Sequence, residues 1–296
     1  MPRPADNICF NDASFTGKGG MSMSQKIAVK TGTVEETLLL PLWGRAYETR
    51  QDKPRLVDTR AVEIIDRVDY DFTTIEKTQA MSQHGWVARS LHTDKLTKEF
   101  ITRHPEGSIV NIGCGLDTTF SRIDNGTIMY YELDLPEVIA LRKNFIEESE
   151  RHKSIASSFL DTQWFGQIAT GKGLLFLAGG VFCYFNEQQI KNFFIQLADT
   201  FKECELYFDA LSPMAMKIAK KQVLKKGGMG MSIDEGWALK PVKKLESWDS
   251  RFTVLSATPM YQGMRDGLPL KTRLMFAITD ALGVCPMVHL RISSHS

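Results

Sequence analysis

The chemistry in this chain concentrates in two short blocks. Val110-Asn111-Ile112-Gly113-Cys114-Gly115-Leu116-Asp117-Thr118 reads as a strand running into a glycine turn, with a helix to follow. Glycine has no Cβ, so a ligand can approach its backbone closely. In open α/β sheets, ligands bind where such a turn stands at the carboxyl end of a parallel strand. About 20 residues further on, where an acid can accept hydrogen bonds from a ribose diol, Tyr131-Glu132-Leu133-Asp134-Leu135-Pro136 places carboxylates at the end of a second strand. A dinucleotide site wants a third glycine, which lets the helix pack tightly on the strand. Here that position is Thr118, which disfavours an NAD oxidoreductase. A nucleoside without pyrophosphate, such as S-adenosylmethionine, has less need of a helix N-terminus free to hold an anion.

These blocks need elements to position them. From Thr33 the pattern is helical, with Leu38, Leu39, Leu42 and Ala46 at helical spacing. A second helix fits Asp58 to Arg67, and a longer one runs from about Ile75 to Arg103 with a break near Gly85. Strands and helices then alternate. Ser108–Ile112, Ile128–Leu133, Ile155–Phe159, Leu174–Ala178 and Glu205–Asp209 read as strands, and Pro136–Ser149 and Glu187–Lys202 as helices. This order implies a mostly parallel sheet covered by helices. Phe252–Ala257 and Thr272–Thr279 read as a closing antiparallel hairpin, because Pro259, Gly263, Gly267 and Pro269 between them leave no room for a crossover helix. The expected organisation is a leader over residues 1–30, a helical cap over 31–107 and a core over 108–296, cap and core forming one domain.

Composition narrows the classes. With 43% hydrophobic and 24% charged residues, the 296-residue chain is that of a globular protein. Its 36 Lys+Arg against 35 Asp+Glu give a net charge of +1, which argues against a nucleic-acid partner. The longest nearly apolar run, Leu174 to Phe185, is shorter than the roughly 18–20 residues of a membrane helix. Cys9, Cys114, Cys183, Cys204 and Cys285 are widely spaced, with no CxxC pair and no HExxH. Reduced cytoplasmic thiols and no metal site are expected; Cys114 reads as a small buried filler. Asp6 and Asp12 and the lack of an apolar run argue against a signal peptide. The basic run Lys217–Lys226 reads as a solvated helix face, although it could grip an acidic partner. Gly227–Gly230 reads as a flexible break belonging to a lid, with Met229 and Met231 beside an apolar pocket.

The blocks EETLLLPLWGRAYETR, VNIGCGLDTTFSRIDNG, YYELDLPEVIALRK and YFDALSPM resemble the leucine carboxyl methyltransferase family. They are most similar to its bacterial branch of polyketide-pathway O-methyltransferases, from about Thr33 to about Asp280. The resemblance implies a class I S-adenosylmethionine-dependent methyltransferase fold, an α/β architecture whose mostly parallel seven-stranded sheet ends in an antiparallel hairpin. It implies S-adenosylmethionine as cofactor, S-adenosylhomocysteine as product and a small-molecule acceptor methylated on a carboxyl or hydroxyl group. Gly113 and Gly115 would line the methionine and ribose, Asp134 would hold the ribose, Arg89 would pair with the cofactor carboxylate, and Leu160 and Asp161 would meet the adenine. Asp117 and Thr118 would hold the loop.

One position departs. Where the family carries Ala-Glu-Gly, this chain has Ala178-Gly179-Gly180, so a cofactor-facing glutamate is missing at Gly179. A lost charged contact weakens binding by roughly 1.5–3 kcal/mol. Either another group substitutes, or the cofactor binds weakly, or the acceptor site has changed. Methyl transfer from a sulfonium is an in-line displacement in which the protein supplies positioning and desolvation. A carboxylate acceptor needs no base, whereas a phenol would benefit from one. No catalytic dyad is visible; His84 and Tyr184 are the candidates for orienting the acceptor. The competing readings are a protein C-terminal carboxyl methyltransferase, which needs a groove for a peptide end, and a non-catalytic S-adenosylmethionine-binding protein.

Overall fold

The computed structural model describes residues 26–29, 34–225 and 236–294. Strand β1 (Ile27–Ala28) pairs in parallel with β2 (Val68–Asp69). Of the expected leader, residues 1–25 and 30 lie outside the described residues, as do Gly227–Gly230 with Met229 and Met231. The helices before the main sheet are α1 (Val34–Thr49), α2 (Thr59–Arg67), α3 (Thr73–Thr78) and α4 (Ala80–Arg103). Asp58 caps α2 by accepting the Ala61 N–H at 2.9 Å. The break expected near Gly85 falls instead at Gln79, between α3 and α4. Gly85 lies inside a helix that packing sustains, since tertiary contacts outweigh the roughly 1 kcal/mol that glycine costs there.

The core alternates strand and helix: β3 (Ser108–Ile112), α5 (Thr119–Ile123), β4 (Met129–Asp134), α6 (Pro136–Arg142), β5 (His152–Ala156), β6 (Leu174–Ala178), α7 (Glu187–Thr200), β7 (Glu203–Asp209) and α8 (Pro213–Lys225). Strand β8 (Phe252–Pro259), α9 (Leu270–Ala281) and β9 (Pro286–Ser293) follow. The seven-stranded sheet has the order β5-β4-β3-β6-β7-β9-β8. All its pairings are parallel except those of β9, which runs against both β7 and β8. Aromatic packing around Phe193, Phe194 and Trp237 forms the core on one face, and Phe100, Ile109, Leu175 and Met260 form that on the other. A third cluster, with Leu39, Leu42 and Leu116, joins the N-terminal helices to the glycine turn. Among the described residues no helix is long and apolar enough to cross a membrane.

Several boundaries differ from the pattern in the sequence. Helix α6 ends at Arg142 rather than Ser149, and β5 begins at His152, earlier than Ile155. The expected basic helix is α8. The closing hairpin exists, but its second strand is β9; Thr272–Thr279 lies within α9. The reason lies in His289, a buried polar residue in mid-strand that breaks the apolar signal and is satisfied by Glu205 Oε2 at 2.8 Å. Because β8 and β7 both run against β9, the segment between β8 and β9, α9 included, stands at the carboxyl edge of the sheet.

Candidate active site

The strand order reverses about β3, with β4 and β5 on one side and β6 and β7 on the other. The crevice outside these strand ends is the place where open α/β sheets bind ligands. Gly113 (φ 62°) and Gly115 (φ 48°) turn the chain in the left-handed region there. A Cβ on Gly113 would lie 2.5 Å from Val181 Cγ2, so only glycine fits. Gly113 N–H donates to the Leu133 carbonyl at 2.8 Å, and Gly115 N–H donates to Asp134 Oδ2 at 2.7 Å. The other oxygen, Oδ1, accepts the Leu135 N–H at 2.8 Å. Burial pushes the Asp134 carboxyl above its usual range. The glycine turn and the acid at the next strand end are therefore one hydrogen-bonded unit.

Charged side chains fix that unit from below. Arg142 Nη1 donates to the carbonyls of Gly115 (3.0 Å) and Asp117 (2.7 Å), while its Nη2 pairs with buried Glu132. Glu132 also accepts Asn111 Nδ2 at 3.0 Å and meets His152 Nε2 at 3.1 Å. Arg45, from α1, reaches the Leu116 carbonyl at 3.0 Å and Asp58 at 2.9 Å. Arg122 bridges Asp94 and Asp58, and Thr118 Oγ1 donates to Asp58 Oδ2 at 2.5 Å. Burial would raise Asp117, but the Arg45 and Arg122 cations hold its carboxyl at about 2. Asp117 and Thr118 thus support the loop, and nothing in the sequence pattern marked Arg45 and Arg142 as partners of Asp117.

The opposite wall is built differently. Arg89 lies along the turn after β6: a Cβ on Gly179 would sit 3.3 Å from Arg89 Cδ, and one on Gly180 (φ 74°) would overlap Nη1. Arg89 Nη1 donates to Asp209 Oδ2 at 3.1 Å, and Asp209 Oδ1 accepts the Gly180 N–H at 2.5 Å. The space beside Gly179 and Gly180 is taken by the arginine side chain. Asp209, at the end of β7, belongs to the YFDALSPM block.

Leu160 and Asp161 stand in the turn beyond β5. Leu160 packs on the core, and Asp161 is exposed and caps the following turn through the Gln163 N–H at 3.2 Å. The Ser157 N–H donates to the Asp134 carbonyl at 2.9 Å, tying this turn to the end of β4. Tyr184 follows β6 and is 37% exposed, its phenol pushed up to about 12, chiefly by burial. His84 sits apart on α4, edge-on to Phe276 at 5.6 Å. Its Nδ1 lies 3.0 Å from Arg55 Nη2. An arginine can only donate, so Nδ1 accepts and the neutral ring carries its proton on Nε2. Burial and then the Arg55 cation lower its pKa. His84 is thus a donor with no free basic nitrogen. A cleft of about 700 Å³ lies elsewhere, beside Leu91, Lys95, Lys98 and Arg122. It touches neither glycine turn, so the convergence of polar groups, not volume, makes the crevice the candidate site.

Residues 39–198, more than half of the chain, match the family model described as leucine carboxyl methyltransferase. The chain belongs to the leucine carboxyl methyltransferase family. The matched span of this family runs from α1 through α7 and includes Arg89, the glycine turn, Asp134 and Gly179. The chain is 29% identical to the tetracenomycin polyketide synthesis O-methyltransferase TcmP of Streptomyces glaucescens, over 72% of this chain and 78% of that one. It is 24% identical to the S-adenosyl-L-methionine-dependent methyltransferase dpfgK of Gibberella zeae, over 64% of this chain and 70% of that one. Among solved structures, magnesium protoporphyrin IX methyltransferase of Synechocystis PCC 6803 aligns with a TM-score of 0.45 and 11% identity, over 79% of this chain and 94% of that one. The strand order with its reversed β9 is the class I methyltransferase arrangement that the sequence blocks implied.

Proposed function

We propose that this protein is an S-adenosylmethionine-dependent O-methyltransferase acting on a carboxyl or hydroxyl group of a small, polyketide-like molecule. One observation carries the reading: Gly115 N–H rests on Asp134 Oδ2 at 2.7 Å, with Arg89 on the facing wall of the same crevice. The residues fit the cofactor. Left-handed, exposed Gly113 presents bare backbone, buried Gly115 holds the Asp134 carboxylate in place, Asp134 keeps acceptor capacity for a ribose diol, and Arg89 keeps donors for a carboxylate. Leu160 and Asp161 border the adenine end. When bound, the cofactor supplies an activated methyl group on its sulfonium.

The chain's own contribution is positioning. Arg89, Asp134 and the glycine turn set where the donor lies, and α1 covers the turn, Leu38 Cδ2 standing 3.0 Å from where a Gly115 Cβ would be. His84 through Nε2–H and Tyr184 through its protonated phenol would orient an acceptor oxygen, and neither offers a base at neutral pH. Helices α1–α4 serve as the cap and the remainder as the core: Arg60 of α2 reaches the Phe145 carbonyl at 2.6 Å. The free thiols at Cys114, Cys183, Cys204 and Cys285 suit a cytoplasmic location.

Calorimetric titration with S-adenosylmethionine and S-adenosylhomocysteine, with NAD as control, tests this directly. Micromolar binding of the sulfur nucleosides and none of NAD is expected. Binding of NAD with no effect of S-adenosylhomocysteine would overturn the reading. Transfer of labelled methyl to any acceptor then separates an enzyme from a binding protein.

A further inference from the structure

Arg89 and Asp209 form an ion pair that spends little of either partner. A guanidinium carries five N–H donors. Among the described residues, the hydrogen bond Arg89 makes is the one from Nη1 to Asp209 Oδ2 at 3.1 Å. Asp209 in turn holds the Gly180 N–H on Oδ1, so each of its oxygens retains a lone pair. Both groups are withdrawn from water, with side chains 19% and 8% exposed. None of their atoms is among the buried side-chain donors and acceptors without a partner, so the spare N–H groups and lone pairs remain open to a ligand that matches both.

The sheet dictates what that ligand must present. The register pairs Ala178 of β6 with Phe208 of β7, so Asp209 stands across from Gly179. Its carboxylate borders the position that has no side chain of its own. Guanidinium and carboxylate stand side by side at the crevice, and an α-amino acid head is their complement. Its carboxylate fits the spare N–H groups of Arg89, and its ammonium fits the spare lone pairs of Asp209. The exchange leaves net charge unchanged, so neither ion is stranded.

We propose that Asp209 anchors the ammonium of the cofactor's amino-acid head, besides holding Arg89 over the Gly179–Gly180 turn. This rests on the reading that Arg89 takes the cofactor carboxylate. Asp209 is then the group that replaces the side chain missing at Gly179, supplied from the neighbouring strand.

Three ligands separate the possibilities: S-adenosylhomocysteine, its deaminated analogue that keeps the carboxylate, and 5′-methylthioadenosine, which has no amino-acid head. Their dissociation constants are measured by calorimetry on the wild type and on Asp209→Asn. The wild type should prefer S-adenosylhomocysteine over the deaminated analogue by about ten- to a hundredfold. In Asp209→Asn that preference should vanish, while 5′-methylthioadenosine binds as before. Equal weakening of both headed ligands would mean that Asp209 acts only through Arg89, and would overturn the proposal. So would an unchanged preference. The wild-type comparison stands even if the variant fails to fold, since no preference there refutes an ammonium anchor. Failure of all three ligands to bind the wild type would instead refute the cofactor reading itself.

Discussion

The two walls of the crevice are built on opposite plans. On the β4 side, the glycine turn is held by more bonds than it needs: Asp134, Arg142, Arg45 and Asn111 converge on it, and Glu132, Asp58 and Arg122 hold the holders. On the β6–β7 side, two glycines carry one arginine, and one aspartate fastens it. The first wall has its geometry fixed before any ligand arrives. The second keeps hydrogen-bonding capacity that its own residues do not use. Preorganised loops and unspent charge are separate requirements of a site, and here each wall meets one of them.

The sharpest way to break this contrast is Arg142→Ala. It strands fully buried Glu132 and frees two loop carbonyls, and should cost about 3–5 kcal/mol in urea unfolding. Arg89→Ala should cost clearly less stability; an equal loss would erase the distinction between the walls. Acid should act on the same wall as Arg142→Ala. Asp117 is held at about 2 against an ordinary 3.8. Its folded pKa is depressed, so its contribution is present above pH 3.8 and is lost as pH falls toward 2. The loss should be about 2 kcal/mol, read from urea midpoints across that window.

Affinity comes next in size. Asp134→Ala and Arg89→Ala should each weaken S-adenosylhomocysteine binding at least about tenfold by calorimetry. A wild-type constant in either folded variant would remove that residue from the site. The glycines give the smallest effects. Gly180→Ala, with its left-handed backbone and its overlap with Arg89, should cost about 1–2 kcal/mol. Gly179→Ala meets only the movable Arg89 stem and should stay within about 1 kcal/mol by thermal melting. A reversed order would mean that the arginine does not lie along this turn.

The same contrast governs what could be read from the chain. Strands β3 and β6 match the expected boundaries residue for residue, because each is wholly buried and bounded by glycine. The turn and Asp134 were legible for a local reason, as their spacing is set by one strand–helix–strand unit. Arg45, Arg142 and Arg122 were not. Each sits on a helix where a charge looks solvated, and only tertiary packing brings it to Leu116, Glu132 or Asp58. Asp209 was hidden likewise, its meaning fixed by a register across strands far apart in sequence. In β9, His289 obscured the pattern for the same reason, since its partner Glu205 belongs to another strand.

Strand order also bears on how the molecule is made. Strand β8 leaves the ribosome before β9, yet it pairs with β9 alone and sits at the outer edge, while β9 occupies the slot beside β7. Residues 252–259 therefore have no place in the sheet until residues 286–293 have been synthesised. During translation the five parallel strands can assemble around the crevice from the amino end, with the flank of β7 left bare. Closure is a late, long-range event of the kind that slows folding, and the nascent chain carries an open β edge until its final strand docks.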